Sequence, residues 1–82
     1  MLLLTRPDCP LCEEFLEELA HEFPALAPSV ESADVDSRED WRQAYGRRIP
    51  VLLDEGGAVW CEGRFDAAAV ARRLATRAGS AA

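Results

Sequence analysis

Two cysteines separated by two residues are the part of this chain best suited to chemistry. Cys9 and Cys12 enclose Pro10 and Leu11, and the pair follows an apolar run over residues 1–5. If a helix begins at Pro10, this spacing places both sulfur atoms on the same side of it, one turn apart. The free N–H groups and the dipole at the start of a helix favour a thiolate at Cys9, while Cys12 begins the inner part of the helix.

An outer, reactive sulfur with a shielded partner is the arrangement that dithiol exchange requires. The Cys9 thiolate attacks a substrate disulfide and forms a mixed disulfide with it. Cys12 then attacks Cys9, which releases the reduced substrate and leaves a Cys9–Cys12 disulfide. Asp8 and the two glutamates that follow Cys12 oppose the thiolate, whereas Arg6 favours it.

Two other interpretations of the cysteine pair stay open. A C-x-x-C pair can supply half of a zinc site, which needs two further ligands. For these the chain offers Cys61, His21 and carboxylates, and it has no second C-x-x-C. The two cysteines could instead be inert core residues, but a proline between them at a helix start is less typical of that arrangement.

Composition limits the size of the protein and the partners it can have. With 82 residues, of which 49% are hydrophobic, the chain can form one small domain around one core. A net charge of −6 argues against nucleic acid and against an anionic membrane surface as partners. The apolar start is too short for a signal peptide or a membrane span, so we predict a reducing cytoplasm, where cysteines do not build a disulfide framework.

The elements that must position the cysteines follow from the apolar patterns. Residues 1–5 predict a strand buried on both faces. Helical spacing then begins at Pro10, with one apolar face and one acidic face, and proline ends the helix at residue 24. Residues 29–35 predict a weaker strand. Ser37 is positioned to cap a short helix in a capping box with Asp40, and Gly46 can close that helix.

The second half of the chain has the pattern of a hairpin followed by a helix. Residues 50–53 and 58–61 are apolar and flank a glycine-rich turn. Asp66 can cap a last helix running to about Arg77. The predicted fold is therefore α/β with the order β-α-β-α-β-β-α, a four-stranded mixed sheet and helices on both faces. We expect one domain over residues 1–78 and a flexible tail over residues 79–82.

With the cysteine pair and these elements in place, the chain resembles the glutaredoxin branch of the thioredoxin-like superfamily, and in particular its small bacterial glutaredoxin-like domains. The resemblance runs from Leu2 to about Leu74 and is most specific over residues 9–12 and 48–53. It implies a thioredoxin-like fold in which Pro50 is cis and faces the cysteine pair. The backbone of Ile49 is then free to pair with an extended substrate.

The resemblance also implies glutathione as a co-substrate, with no tightly bound cofactor and no metal. Arg6 occupies the family's basic position three residues before the first cysteine. Gly63 and Asp66 match the segment that receives the γ-glutamyl carboxylate at a helix start. The chain departs from the family at Glu62, where the first glycine of a pair is expected, and at Arg48, where a threonine is expected.

Together these observations predict a thiol–disulfide oxidoreductase that acts as a cytoplasmic monomer on a disulfide-containing protein or on glutathione. The expected nucleophile is Cys9 and the resolving thiol is Cys12. The residues expected to contact substrate are Arg6, Pro10, Leu11, Ile49, Pro50, Gly63 and Asp66. Two alternatives from other classes stay open: a protein-binding module of the same fold with weak turnover, and a metal or iron–sulfur binder that uses Cys9.

Overall fold

The computed structural model describes residues 1–80 and shows four strands in one sheet. The strands and helices along the chain are β1 (Leu2–Thr5), α1 (Pro10–Glu22), β2 (Glu31–Asp34), α2 (Glu39–Tyr45), β3 (Val51–Leu53), β4 (Val59–Glu62) and α3 (Ala67–Ser80). Short 3-10 turns at Ala27–Ser29 and Val35–Ser37 precede and follow β2, and the strand order in the sheet is β2-β1-β3-β4. The predicted order β-α-β-α-β-β-α is confirmed.

The sheet is mixed, as the sequence predicts. β1 runs parallel to β2 and antiparallel to β3, and β3 runs antiparallel to β4. The central strands β1 and β3 carry the most apolar segments of the chain, because both of their faces are covered. No helix within residues 1–80 combines the length and the apolar character needed to cross a bilayer.

Two clusters of buried side chains lie on opposite faces of the sheet. Alternate residues of a strand point to opposite faces, so Leu3 and Leu4 contribute to different clusters. On one face α1 and α3 pack on the sheet, through residues that include Phe15 and Val70. On the other face α2 packs on it through Trp41 and its neighbours. Helices on both faces are therefore confirmed.

A bulge in β4 adjusts which side chains reach the first cluster. Leu52 lies opposite Cys61, but Leu53 lies opposite Val59, so Trp60 is an extra residue on β4. As a result Trp60 and Cys61 both pack in the cluster with α1 and α3, whereas Val59 packs on the opposite face. The alternation of the apolar residues does not predict this irregularity.

The turn between β3 and β4 is organised by the carboxylate of Asp54. Its Oδ1 atom accepts hydrogen bonds from the N–H groups of Gly56 and Ala58 at 2.9 and 3.0 Å. Its Oδ2 atom accepts one from Nε1 of Trp60 at 3.0 Å. The pKa of Asp54 lies below its usual value, chiefly because of the hydrogen bond from the Ala58 amide and next because of the one from Trp60. The charged carboxylate therefore stabilises the hairpin.

We expect the Asp54→Asn substitution to destabilise the protein less at acid pH than at neutral pH. The pKa of Asp54 is lower in the folded state, so its contribution is present above the unfolded pKa of about 4. That contribution is lost as the pH falls through the folded-state pKa. Urea unfolding of both proteins between about pH 2.5 and pH 6 measures the difference in free energy of unfolding. A difference that stays constant over this range contradicts the prediction.

Two helix boundaries differ from those predicted. Ser37 does not cap α2, because its hydroxyl donates to the carbonyl of Asp34 at 2.6 Å within the preceding 3-10 turn. The N-cap is Arg38, which makes no side-chain cap bond and pairs instead with Asp40, so the predicted capping box is wrong. The last helix runs past Arg77 to the end of the described residues, and residues 81–82 of the predicted tail lie outside them.

Candidate functional site

One end of the sheet collects the residues around the cysteine pair. β1 leads into the loop that carries Cys9, and β1 is antiparallel to β3, with Leu4 opposite Val51. The start of β3, immediately after Pro50, therefore lies at the same end as the end of β1. The end of β4 also lies there, because the N–H of Gly63 donates to the carbonyl of Pro50 at 2.8 Å.

The cysteine pair sits at the start of α1. Cys9 is the N-cap residue, and its sulfur accepts a hydrogen bond from the N–H of Cys12 at 3.2 Å. The two sulfur atoms are joined in a disulfide, with 5.2 Å between the Cα atoms. Cys9 is half-buried, whereas Cys12 is only 3% exposed. In the reduced protein this amide would stabilise negative charge on the outer sulfur.

Pro50 and Ile49 border the site on the β3 side. The Ile49–Pro50 peptide bond is cis, as the resemblance implies, and Pro50 is fully buried. The Ile49 side chain packs against the cluster beneath α2. Within residues 1–80 its backbone N–H and carbonyl make no hydrogen bond. These two groups are therefore free to pair with an extended peptide.

A groove of about 130 Å³ lies between α1 and the segment that follows β4, and Leu11, which stands between the two cysteines in the sequence, is its first α1 residue. Leu11, which is 43% exposed, lies on its α1 side. Phe15 forms part of the lining and meets the ring of Phe65 edge-on, at 5.3 Å between centroids. The residues that line the groove are Leu11, Glu14, Phe15, Glu18, Gly63, Arg64 and Phe65. The groove thus contains two of the residues expected to contact substrate, Leu11 and Gly63, and adds Phe65, which directly precedes the α3 cap.

Pro10 and Asp66, which are also expected to contact substrate, differ in whether their side chains already bond within the protein. Pro10 is the first residue of α1 and is exposed. Asp66 is also exposed, but its Oδ1 atom accepts from the N–H of Ala69 at 3.1 Å, so it caps α3 as predicted. This side chain already occupies part of the helix start that would receive an anion.

Arg6 is held by contacts within the protein. Its Nε and Nη2 atoms donate to the two carboxylate oxygens of Asp36 at 2.8 and 2.9 Å, and Nη1 donates to the carbonyl of Gly46 at 3.0 Å. The Arg6 guanidinium keeps the pKa of Asp36 below its usual value. A Cβ atom at Gly46 would lie 2.5 Å from the carbonyl oxygen of Arg42 and 3.3 Å from Nη2 of Arg6. Glycine is therefore required where the loop approaches Arg6.

Arg48 and Glu62, the two positions at which the chain departs from the glutaredoxin pattern, form an ion pair with each other. Nε of Arg48 donates to a carboxylate oxygen of Glu62 at 2.5 Å. The same guanidinium lies over the ring of Tyr45 at 5.2 Å and donates to the carbonyl of Ala44 at 3.3 Å. Each departure on its own gives no sign of this pairing. Strand register is the signal that joins them, because Glu62 lies opposite Val51, three residues after Arg48.

The third cysteine belongs to the core and not to the groove. Cys61 packs in the cluster beneath α1 and α3, and burial raises the pKa of its thiol. In the part of the chain that the structure describes, no three His, Cys, Asp or Glu side chains converge as they would around a metal ion.

A mixed four-stranded sheet with helices on both faces, a C-x-x-C pair at the start of α1 and a cis-proline before β3 together define a thioredoxin-like domain. Residues 1–75 match the family described as Glutaredoxin-like domain (DUF836), and the chain belongs to this family.

A solved structure agrees with this assignment. The X-ray structure of the Northeast Structural Genomics target protein XcR50 from X. campestris is similar to this chain, with 33% sequence identity and a TM-score of 0.72. The similarity covers 92% of this chain and 95% of that one. Among curated proteins, none matches the sequence.

Proposed function

We propose that this chain is a thiol–disulfide oxidoreductase with Cys9 as the nucleophile and Cys12 as the resolving thiol. The observation that carries the proposal is the placement of the two sulfurs. Cys9 is the half-buried N-cap of α1 and receives an amide hydrogen bond, whereas Cys12 is buried one turn further on. A substrate therefore meets Cys9 first, and Cys12 is close enough to displace it.

The proposed cycle transfers two electrons from the dithiol to the substrate. The Cys9 thiolate attacks one sulfur of the substrate disulfide, and the other sulfur leaves as a thiolate that takes a proton from water. Cys12 loses its proton to water and attacks the Cys9 sulfur. The second substrate sulfur leaves as a thiolate, so the substrate is reduced to two thiols while the Cys9–Cys12 disulfide forms.

Two kinds of disulfide are proposed as substrates, a protein disulfide and a disulfide that contains glutathione. For a protein segment, the free backbone of Ile49 supplies hydrogen bonds, while Pro50, Pro10 and the exposed Leu11 supply apolar contact. For glutathione, the proposed contacts are Arg6, Gly63 and Asp66. Gly63 lines the groove, but Arg6 would have to exchange Asp36 for the new carboxylate.

The compartment and the oligomeric state complete the proposal. We place the protein in the cytoplasm, because a C-x-x-C pair of this type turns over only where reductants regenerate the dithiol. We also propose that it acts as a monomer. Size-exclusion chromatography with light scattering measures the oligomeric state of the reduced and oxidised protein.

The direct test of the proposed function is a redox titration. The protein is equilibrated in buffers with different ratios of reduced to oxidised glutathione, quenched with acid and weighed by mass spectrometry. We expect a single transition between two forms that differ by about 2 Da, the two hydrogens of the dithiol. Reduced protein should also turn over hydroxyethyl disulfide. A pair that stays in one state across the whole range contradicts the proposal.

A protein-binding module is the second candidate, and the exposed leucines of α1 favour it. Leu11 and Leu16 are 43% and 37% exposed, beside the cysteine pair and along the same helix. A binding module would keep its partner after Cys9 and Cys12 are both replaced by serine, whereas an oxidoreductase would lose it. Zinc or iron that copurifies in stoichiometric amount and is lost in Cys9→Ser would instead indicate a metal binder.

A further inference from the structure

We propose that the Arg48–Glu62 ion pair makes the dithiol select its substrates by charge, favouring neutral and cationic disulfides over dianionic ones such as glutathione disulfide. The inference rests on the proposed function and names the class of substrate that this site prefers. It depends on three features of the structure: how Arg48 is held, where the pair lies, and which charges around Cys9 are left unpaired.

Arg48 is fixed by three different contacts. Its guanidinium pairs with the Glu62 carboxylate, lies over the ring of Tyr45 and donates to the carbonyl of Ala44. A substrate carboxylate that recruited this cation would have to compete with Glu62 and disturb the other two contacts. Arg6 is engaged in the same way by Asp36 and Gly46. Two cations at this end of the sheet are thus already neutralised.

The Arg48–Glu62 pair lies next to the two segments expected to contact the substrate. Arg48 immediately precedes Ile49, whose backbone N–H and carbonyl, just before β3, make no hydrogen bond within residues 1–80. Glu62 immediately precedes Gly63, which lines the groove together with Leu11. The ion pair therefore joins the two segments that border the expected substrate path on the β3–β4 side, and a dianion entering there finds the Arg48 cation already compensated by Glu62.

The unpaired charges around the cysteines are more acidic than basic. Asp8 precedes Cys9, and Glu13 and Glu14 follow Cys12. None of these three carboxylates forms an ion pair within residues 1–80. Arg64 lines the groove and opposes them in part.

Another cation, Arg47, lies on the α2 side of this end of the sheet. It borders a shallow hollow of about 470 Å³, which it shares with Arg42, Gln43, Ala44 and Arg48. Among the unpaired side chains around Cys9, acidic groups thus outnumber basic ones, and this excess repels an anionic disulfide and attracts a cationic one.

Three small disulfides of different charge test the selection. Glutathione disulfide carries two net negative charges at neutral pH, hydroxyethyl disulfide carries none, and cystamine carries two positive charges. The rate constant of the reduced protein with each is divided by the rate constant of free 2-mercaptoethanol, which removes the intrinsic reactivity of the disulfide. At low ionic strength we expect the corrected order cystamine, hydroxyethyl disulfide, glutathione disulfide, and we expect the three values to converge in high salt.

The Glu62→Gln variant assigns the effect to the ion pair. It removes one negative charge and frees Arg48, while the side chain keeps its size. A unit charge about 10 Å away in water changes a rate by about 1.5- to 2-fold, and the substrate carries two charges. We therefore expect the ratio of the glutathione disulfide rate to the hydroxyethyl disulfide rate to rise about two- to fourfold at low salt. Arg48→Gln should lower this ratio by a similar factor, because it leaves the Glu62 carboxylate unpaired.

The matched control is Glu55→Gln, which breaks the Arg77–Glu55 pair at the opposite end of the sheet and makes the same change in net charge. It should leave the ratio unchanged. An equal ratio in wild type, Glu62→Gln and Glu55→Gln overturns the charge selection, as does glutathione disulfide being the fastest corrected substrate of the wild type. If hydroxyethyl disulfide also fails to react, the proposed function itself is refuted, and the charge selection with it.

Discussion

The Cys9→Ser variant is expected to lose disulfide reduction by about a thousandfold or more, because a serine hydroxyl does not replace the thiolate nucleophile. Cys12→Ser is expected to behave differently. Its Cys9 still attacks, but nothing displaces the substrate from the mixed disulfide. This variant should accumulate a covalent adduct with substrate, while steady-state turnover falls. The two variants thus separate the first step of the cycle from the second.

Mass spectrometry of acid-quenched reactions distinguishes these outcomes. The Cys12→Ser protein should gain the mass of one half of the substrate disulfide, and Cys9→Ser should gain none. Cys61→Ser is the matched control, because this cysteine is buried in the core cluster and lies outside the groove. It should keep wild-type kinetics. An adduct that forms on Cys9→Ser but not on Cys12→Ser would reverse the assigned roles of the two thiols.

The order of the elements was predictable because each element is specified by residues that are neighbours in the sequence. The solid apolar run of β1, the helical spacing from Pro10 and the glycine-rich turn after β3 each predict one element from neighbouring residues. The cysteine pair falls at a junction between two such elements. Its spacing therefore predicted an outer Cys9 at the start of the helix and a less exposed Cys12 without any knowledge of distant contacts, and the structure has Cys9 as the N-cap and Cys12 buried.

The ion pairs around the site were not predictable in this way. Arg6 and Asp36 are 30 residues apart, and Arg48 and Glu62 are 14 apart. Exposed arginines and carboxylates carry no pattern that says which of them will meet. Their pairing depends on strand register. The alternation of apolar residues does not specify that register across the bulge at Trp60. Neighbouring residues thus predict where the site lies, but they do not predict which charged side chains around it pair with each other.

The wrong cap at α2 has a similar cause on a smaller scale. Ser37 has the residue type and the spacing of an N-cap, whose oxygen would accept a hydrogen bond from a backbone N–H of the helix. Its hydroxyl instead donates to the carbonyl of Asp34 in the preceding turn. Serine side chains bond to nearby backbone groups in turns as well as in caps, and which arrangement forms depends on the conformation of the preceding residues, which a sequence pattern does not specify.

Phe15→Ala is expected to remove a large part of the stability of the fold. Phe15 is 1% exposed, packs in the cluster beneath α1 and α3, and meets the ring of Phe65 edge-on. Removing a buried phenylalanine ring costs about 3–5 kcal/mol through lost burial and the cavity left behind. A domain of 82 residues has a total stability of about 4–12 kcal/mol. The variant is therefore expected to lose from about a quarter of this stability to all of it.

Urea unfolding followed by circular dichroism measures this loss. Leu16→Ala is the matched control, since Leu16 is the next residue of the same helix and is 37% exposed. Alanine is a better helix former than leucine, so the control should cost less than about 1 kcal/mol. Equal losses in the two variants would mean that Phe15 is not the side chain that joins α1 to the core.

The same substitution separates the two roles of Phe15, because its ring both fills the core and lines the groove. If it acts only through stability, cooling the variant until it is fully folded should restore wild-type rates with hydroxyethyl disulfide. If the groove also holds the substrate, the rate with a disulfide-bonded peptide should stay low even in the folded variant. A peptide rate that recovers together with the small-molecule rate would show that the groove does not contact the substrate.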